Sequence, residues 1–281
     1  MRILQTSLLT QKVKELFIEA NVDIGLSLVE RLRSAMRTEA SPIGKDVLAK
    51  IIANDEYAKQ EKIAICQDTG VSVVFIDLGQ DVHFDGGDFN EAIHEGVRQA
   101  YQEGYLRKSL VSDPLFDRKN TQDNTPAIIH VRIIPGDEVF IQVMPKGFGS
   151  ENMSALKLFA PSVGVEGVKR FIIETLEKAG PNACPPMIVG IGIGGTFEHA
   201  ALIAKRAVLR GTDHPNKDPK YDDLEKVLLD QANRLGIGPA GMGGSTTVLA
   251  INIEHHPTHI ASIPVAINIS CHASRHAEGV L

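Results

Sequence analysis

The hydrophobic period of the chain changes at Lys62, and this change limits what it can fold into. Before it, apolar residues recur at helical spacing. After it, short β-branched runs alternate with glycine turns and further helical stretches, a texture that implies mixed α/β structure. Val13, Leu16, Phe17, Ala20, Ile24, Leu26, Leu28 and Leu32 predict a helix over 10–37, flawed at Gly25. Val47, Leu48, Ile51 and Ile52 predict a second over 43–59. Residues 62–66 and 71–78 then read as strands and 88–105 as a helix. Residues 127–134 and 138–144 read as a hairpin around Pro135-Gly136-Asp137. Helices follow over 164–178, 197–209 and 224–235, with strands over 187–193, 246–252 and 263–269. No repeat or clean linker divides the chain. The expectation is one elaborate α+β (mixed α/β) domain over 1–281. It has an N-terminal helical region and mixed β-sheet elements flanked by helices, with residues 1–60 able to form a helical subdomain.

A hydrophobic content of 43% is enough for a real core. The net charge of −6 argues against a nucleic-acid partner, whose phosphates need a basic footprint. No apolar run is long enough to span a bilayer, and residues 1–13 do not read as a signal peptide. Three cysteines are too few for a disulfide scaffold, so a soluble, reducing, cytoplasmic setting is expected.

Those cysteines carry the chemical interest. Cys66 precedes Gln67-Asp68-Thr69-Gly70, Cys184 lies in Asn182-Ala183-Cys184-Pro185-Pro186, and Cys271 ends a strand before His272. Each keeps polar or proline-rich company, unlike a cysteine that merely fills a core. Two readings stand. The three are inert small side chains, or they converge on an inorganic cluster and leave one metal without a protein ligand, open to substrate oxygen. Zinc at His255, His256 and His259 is disfavoured because Pro257 interrupts the segment. Asp85-Gly86-Gly87-Asp88 reads as a surface turn rather than a calcium loop. Gly190, Gly192 and Gly195 satisfy GxGxxG, so an NAD-dependent dehydrogenase is an alternative. The motif's late position and the absence of a suitable later acid favour glycines that make room for a cluster or partner near the backbone. The long loop 109–126 is more than a connection needs.

Taken in order, several segments resemble the α-subunit of class I iron–sulfur fumarate hydratases and the related tartrate dehydratases, over nearly the whole chain. They are Cys66-Gln67-Asp68-Thr69-Gly70, Asp113-Pro114-Leu115-Phe116-Asp117-Arg118-Lys119-Asn120-Thr121, Asp123-Asn124-Thr125-Pro126-Ala127, Lys146-Gly147-Phe148-Gly149-Ser150-Glu151-Asn152, Gly190-Ile191-Gly192-Ile193-Gly194-Gly195 and His259-Ile260-Ala261-Ser262. The resemblance implies an oxygen-sensitive hydro-lyase of the tricarboxylic acid cycle. It implies a [4Fe–4S] cluster on Cys66, Cys184 and Cys271 with one iron not ligated by protein. It implies substrate contacts from Gln67, Asp68, Arg107, Gly149 and His259, with Asp68 and His259 in catalysis. A separate β-subunit would complete the active site, in a heterotetramer of two α and two β chains, so this chain alone would be incomplete. The leading reaction is hydration of fumarate to (S)-malate. The alternatives are dehydration of L(+)-tartrate to oxaloacetate, the dehydrogenase, and a non-catalytic scaffold.

On physical grounds, Arg107 can grip a substrate carboxylate through its two-point fork. Asp68 can take or return a proton, although Asp-Thr-Gly also suits a plain turn. His259 can hydrogen-bond the substrate or protonate a departing group, but fits a structural role as well. Backbone N–H groups around Gly149 can face an anion.

Overall fold

A computed structural model describes residues 1–281. Strand β1 (Arg2–Gln5) leads into helices α1 (Thr6–Val22), α2 (Leu26–Thr38) and α3 (Pro42–Glu61). Strands β2 (Val71–Gly79) and β3 (Val82–Asp85) precede α4 (Phe89–Glu103). Strands β4 (Ile128–Ile134) and β5 (Val139–Lys146), one-turn α5 (Phe148–Glu151), β6 (Ala155–Phe159) and α6 (Gly164–Ala179) follow. The chain ends with β7 (Met187–Gly195), α7 (Phe197–Val208), α8 (Pro219–Asn233), β8 (Val248–Thr258), β9 (Ile263–Ser270) and β10 (Ala277–Val280). The fold is mixed α/β, with N-terminal helices and sheets flanked by helices, as the change of period implies.

The chain forms two compact units. The first holds Met1–Ile24, Asp55–Phe148 and Arg275–Leu281; the second holds Gly25–Asn54 and Gly149–Ser274. The helices of residues 1–60 are therefore shared between the units. In the first, a four-stranded sheet of order β10-β5-β2-β4 lies beside the short parallel pair β1-β3. Helices α1 and α4 cover it, burying Leu9, Val13, Phe17, Ile93, Val97 and Tyr101 with Val74, Ile76, Ile141 and Val143. Gly96 lets the two helices cross closely: a Cβ there would lie 2.7 Å from the Thr10 carbonyl oxygen.

The second unit is built on a sheet of order β6-β9-β7-β8. Side chains alternate across a strand, and here the alternation serves two helical layers. Met187, Val189 and Ile191 of β7 pack with Ile172 and Leu176 of α6 and Leu228 and Ala232 of α8. The intervening Gly190 and Gly192 meet α7. A Cβ at either would lie 2.1 or 2.0 Å from a carbonyl oxygen of that helix, at Ala204 or Ala200. The expectation that these glycines make room for a cluster or partner is thus corrected, because the protein's own helix fills the room. The same contact removes the structural basis of the dinucleotide reading.

Other expectations change for local reasons. The helix over 10–37 is two helices, split before Gly25, which adopts φ +81°. Residues 62–66 are not a strand: the Ile65 N–H goes to the Asn21 carbonyl (2.9 Å) rather than to a ladder. β4 and β5 are not a hairpin, because β2 lies between them, parallel to β4 and antiparallel to β5. The helix expected over 224–235 starts at Pro219, where Asp218 caps it by accepting from the Lys220 N–H (2.9 Å).

Candidate active site

In the first unit the Cys66–Gly70 stretch has no regular structure, so side chains shape it. The Asp68 N–H points at Cys66 Sγ (3.4 Å). Asp68 Oδ1 accepts from the Gly70 N–H (3.0 Å) and Oδ2 from the Phe148 N–H (2.8 Å). That second bond brings the start of the glycine-rich segment to Asp68. Gly70 adopts φ +80°, and a Cβ there would sit 2.6 Å from the Pro145 backbone, so only glycine fits.

Three more side chains fix this loop. Thr69 Oγ1 donates to the Arg107 carbonyl (2.6 Å), which ties the backbone of Arg107 to the Cys66 loop while its side chain stays exposed. Tyr101 OH donates to the Thr69 carbonyl (2.6 Å). Burial pushes the Tyr101 phenol up to about 12, with Arg275 acting against the rise and Asp68 adding to it. Buried Asn124 donates to the Gly70 carbonyl (3.2 Å) and accepts from the Ser109 and Leu110 N–H groups (2.9 and 3.2 Å). Asn124 thereby anchors the long loop 109–126 to the Cys66 stretch.

In the second unit, sheet register does the positioning. β7 and β9 are antiparallel, with Ile188 opposite Ser270. The start of one and the end of the other therefore share one edge of the sheet, and Cys184 and Cys271 lie just beyond them. The His272 N–H donates to the Cys184 carbonyl (3.3 Å) and joins the two turns. Cys184 adopts the left-handed conformation, φ +52°, and is exposed. Gly149 lies beside the same turn: a Cβ on it would be 3.9 Å from the Asn182 carbonyl oxygen. Glu151 accepts from Lys205 Nζ (2.5 Å) and Asn268 Nδ2 (2.8 Å), which ties α5 to β9.

Behind the Cys184 turn is a second glycine-rich turn. The Ala240 N–H donates to the Pro185 carbonyl (2.8 Å), and Gly241, at φ +73°, packs so tightly on Pro181 that a Cβ would lie 2.3 Å from it. Glu39 holds the far side of this turn, accepting from the N–H groups of Ser41, Ser245 and Thr246 at 2.7–2.9 Å. Burial alone would raise its pKa, but these bonds to the charged form outweigh it and lower the carboxyl from 4.5 to about 2.

The structure therefore gathers Cys66, Gln67, Asp68 and the Arg107 backbone in one unit, and Cys184, Cys271 and Gly149 in the other. It does not bring His259 to Cys271 within one chain. His259 is exposed in the turn that opens β9, whereas Cys271 follows that strand's last residue. Eight extended residues put about 25 Å between the strand's ends, so the expectation of a shared site needs correction for a single copy. Asn21, Glu39, Asn124 and Arg275 were missed as contributors. Asn124 at least lies inside a segment that carried the resemblance, whereas the others show no local sign in the sequence.

The profile of the family described as fumarate hydratase (fumerase) matches residues 10–280. The chain belongs to this family. It is 42% identical over 269 residues to a Methanocaldococcus jannaschii protein named "Putative L(+)-tartrate dehydratase subunit alpha", covering 94% of each chain. It is 34% identical over 254 residues to the L(+)-tartrate dehydratase subunit alpha of Escherichia coli K12, covering 88% of this chain and 82% of that one.

Membership of the fumarate hydratase and tartrate dehydratase α-subunit family assigns the chain to hydro-lyase chemistry in general. An iron–sulfur cluster asks for thiolates free of disulfides. None of the three cysteines is in a disulfide, and two of them stand on turns joined by a backbone hydrogen bond. The donor set suits such a cluster chemically, although no three His, Cys, Asp or Glu side chains form a ready-made metal-ion site. No helix is long and apolar enough to cross a membrane.

Proposed function

We propose that the chain is the α-subunit of a hydro-lyase that dehydrates L(+)-tartrate to oxaloacetate together with a β-subunit. The observation that carries the substrate is the near full-length similarity to two chains named as tartrate dehydratase α-subunits, one archaeal and one bacterial. The family description favours a second reading, reversible hydration of fumarate to malate. Both reactions break or make a C–O bond beside a carboxylate, so one clamp serves either.

In the proposed site, Cys66, Cys184 and Cys271 hold a [4Fe–4S] cluster with one iron free of protein ligands. When bound, this cluster supplies Lewis-acid polarisation of the leaving hydroxyl. Arg107 and Gln67, both exposed beside Asp68 in sequence or through Thr69, grip the substrate carboxylates. The Gly149 N–H adds a neutral donor. Asp68 moves the proton. Each of its oxygens accepts one backbone N–H, which leaves lone pairs for a third partner. Fixed cations facing the carboxylate stabilise the charge that builds there as the C–H proton leaves. His259 has no role toward its own chain's cysteines and serves the reaction only when presented by a second copy.

The test is anaerobic co-expression with the partner subunit, followed by parallel assays on the tartrate stereoisomers, fumarate and malate. Turnover of L(+)-tartrate exceeding that of fumarate is expected. Turnover confined to fumarate and malate overturns the substrate assignment. Absence of iron and acid-labile sulfide from active protein overturns the cluster.

A further inference from the structure

A buried cation braces the Cys66 loop from both ends, and no role assigned so far uses it. Arg275 is only 3% exposed. Its Nη1 donates to Asn21 Oδ1 (3.2 Å), and its buried Nε has no hydrogen-bond partner. A buried guanidinium without full hydrogen bonding is costly unless a negative charge lies close. That charge is Asp68, across Gly147. The position a Gly147 Cβ would occupy is 3.2 Å from Asp68 Oδ2 and 3.4 Å from Arg275 Nη2. Asn21 links Arg275 to the other end of the loop. It is fully buried, donates to the Phe17 carbonyl (2.9 Å), and its own carbonyl accepts from Ile65, the residue before Cys66.

We propose that Arg275 is a positioning residue for Asp68. Through Asn21 it holds the entry to the Cys66–Gly70 loop. Across the bare face of Gly147 it holds the Asp68 carboxylate on the Phe148 N–H. The residue at 147 has to be small, because any side chain would part the two charges. This inference rests on the proposed hydro-lyase reading only for its catalytic consequence. The mechanical part stands on the first unit alone.

Two measurements separate the parts. In the complex with its partner subunit, Arg275→Gln lowers kcat by about tenfold to a hundredfold with KM within about twofold, as expected for a misplaced reacting group. Arg275→Lys, which keeps the charge but not the fork, restores part of the loss. Gly147→Ala, which keeps Arg275 and inserts a methyl group between the charges, also lowers kcat. Hydrogen exchange then reads the loop without reference to activity. In Arg275→Gln the Gly70 and Phe148 amides, both bonded to Asp68, exchange faster, while the β2 and β5 amides keep their wild-type rates. Full kcat in Arg275→Gln, a loss carried only by KM, or uniform acceleration across the first unit overturns the proposal. If the wild-type complex turns over neither tartrate nor fumarate, the functional reading fails, and exchange at Gly70 and Phe148 alone decides the role of Arg275.

Discussion

The two thiol-bearing regions are fixed by different means. Cys66 lies on an irregular stretch that individual side chains hold: Asn21 at one end, and Asp68, Tyr101 and Asn124 at the other. Cys184 and Cys271 are placed by the register of β7 against β9 and by backbone packed on backbone at Gly241 and Pro181. A register is collective, since no strand can slip without moving every side chain to the wrong face. A loop held by a few side chains gives way one bond at a time. Single substitutions should therefore loosen the first region locally, whereas the second should either tolerate a change or fail as a whole.

The sharpest test of the second region removes a proposed ligand and leaves the frame. Cys184→Ser alters one exposed side chain, so stability should stay within about 0.5 kcal/mol of wild type. Turnover should nevertheless disappear and iron content fall, as read by assay and metal analysis after anaerobic purification. Collapse of the fold in this variant would instead mark Cys184 as a packing residue. Next in size is Glu39→Gln. The native carboxyl lies near 2 against 4.5 in the unfolded chain, so its contribution is fully present above pH 4.5 and is lost as pH falls toward 2. The shift corresponds to about 3 kcal/mol. Denaturation of wild type and Glu39→Gln across that window should show a gap at neutral pH that closes in acid.

Gly192→Ala comes third. Its methyl would meet the Ala200 carbonyl of α7 at 2.0 Å, and forcing the helix outward should cost about 2 kcal/mol in chemical denaturation. The smallest effect is expected in the first region. Asn124→Gly keeps the positive φ of this position but removes three hydrogen bonds, for about 1–2 kcal/mol. Faster exchange confined to residues 109–126 and 66–70 would support the contrast. Loss of protection throughout the sheet would break it.

Much of the fold was legible because periodicity is local. The α4 stripe, the β-branched run of β2 and the apolar β7 each declare themselves within a dozen residues. The hairpin reading of β4 and β5 failed because pairing partners are chosen by the whole sheet, and β2 was inserted between neighbours in sequence. The GxGxxG reading failed for a related reason. A glycine shows that something comes close, but not whether that something is a ligand or the protein's own helix. In the site, Cys66, Asp68, Gly149, Cys184 and Cys271 stood out through motif and company. Arg275 did not, because a lone arginine near the end of a chain carries no mark of burial.

The sequence by itself determined which side chains are available for chemistry: three thiols, an Asp-Thr-Gly turn and glycines at positions that tolerate no Cβ. Only the tertiary structure decided which of them meet. It paired Cys184 with Cys271, parted His259 from them by the length of β9, and set a buried guanidinium across Gly147 from Asp68. Those outcomes depend on strand register and on charge burial. Both are sums over contacts between residues far apart in the chain, and no local window contains them.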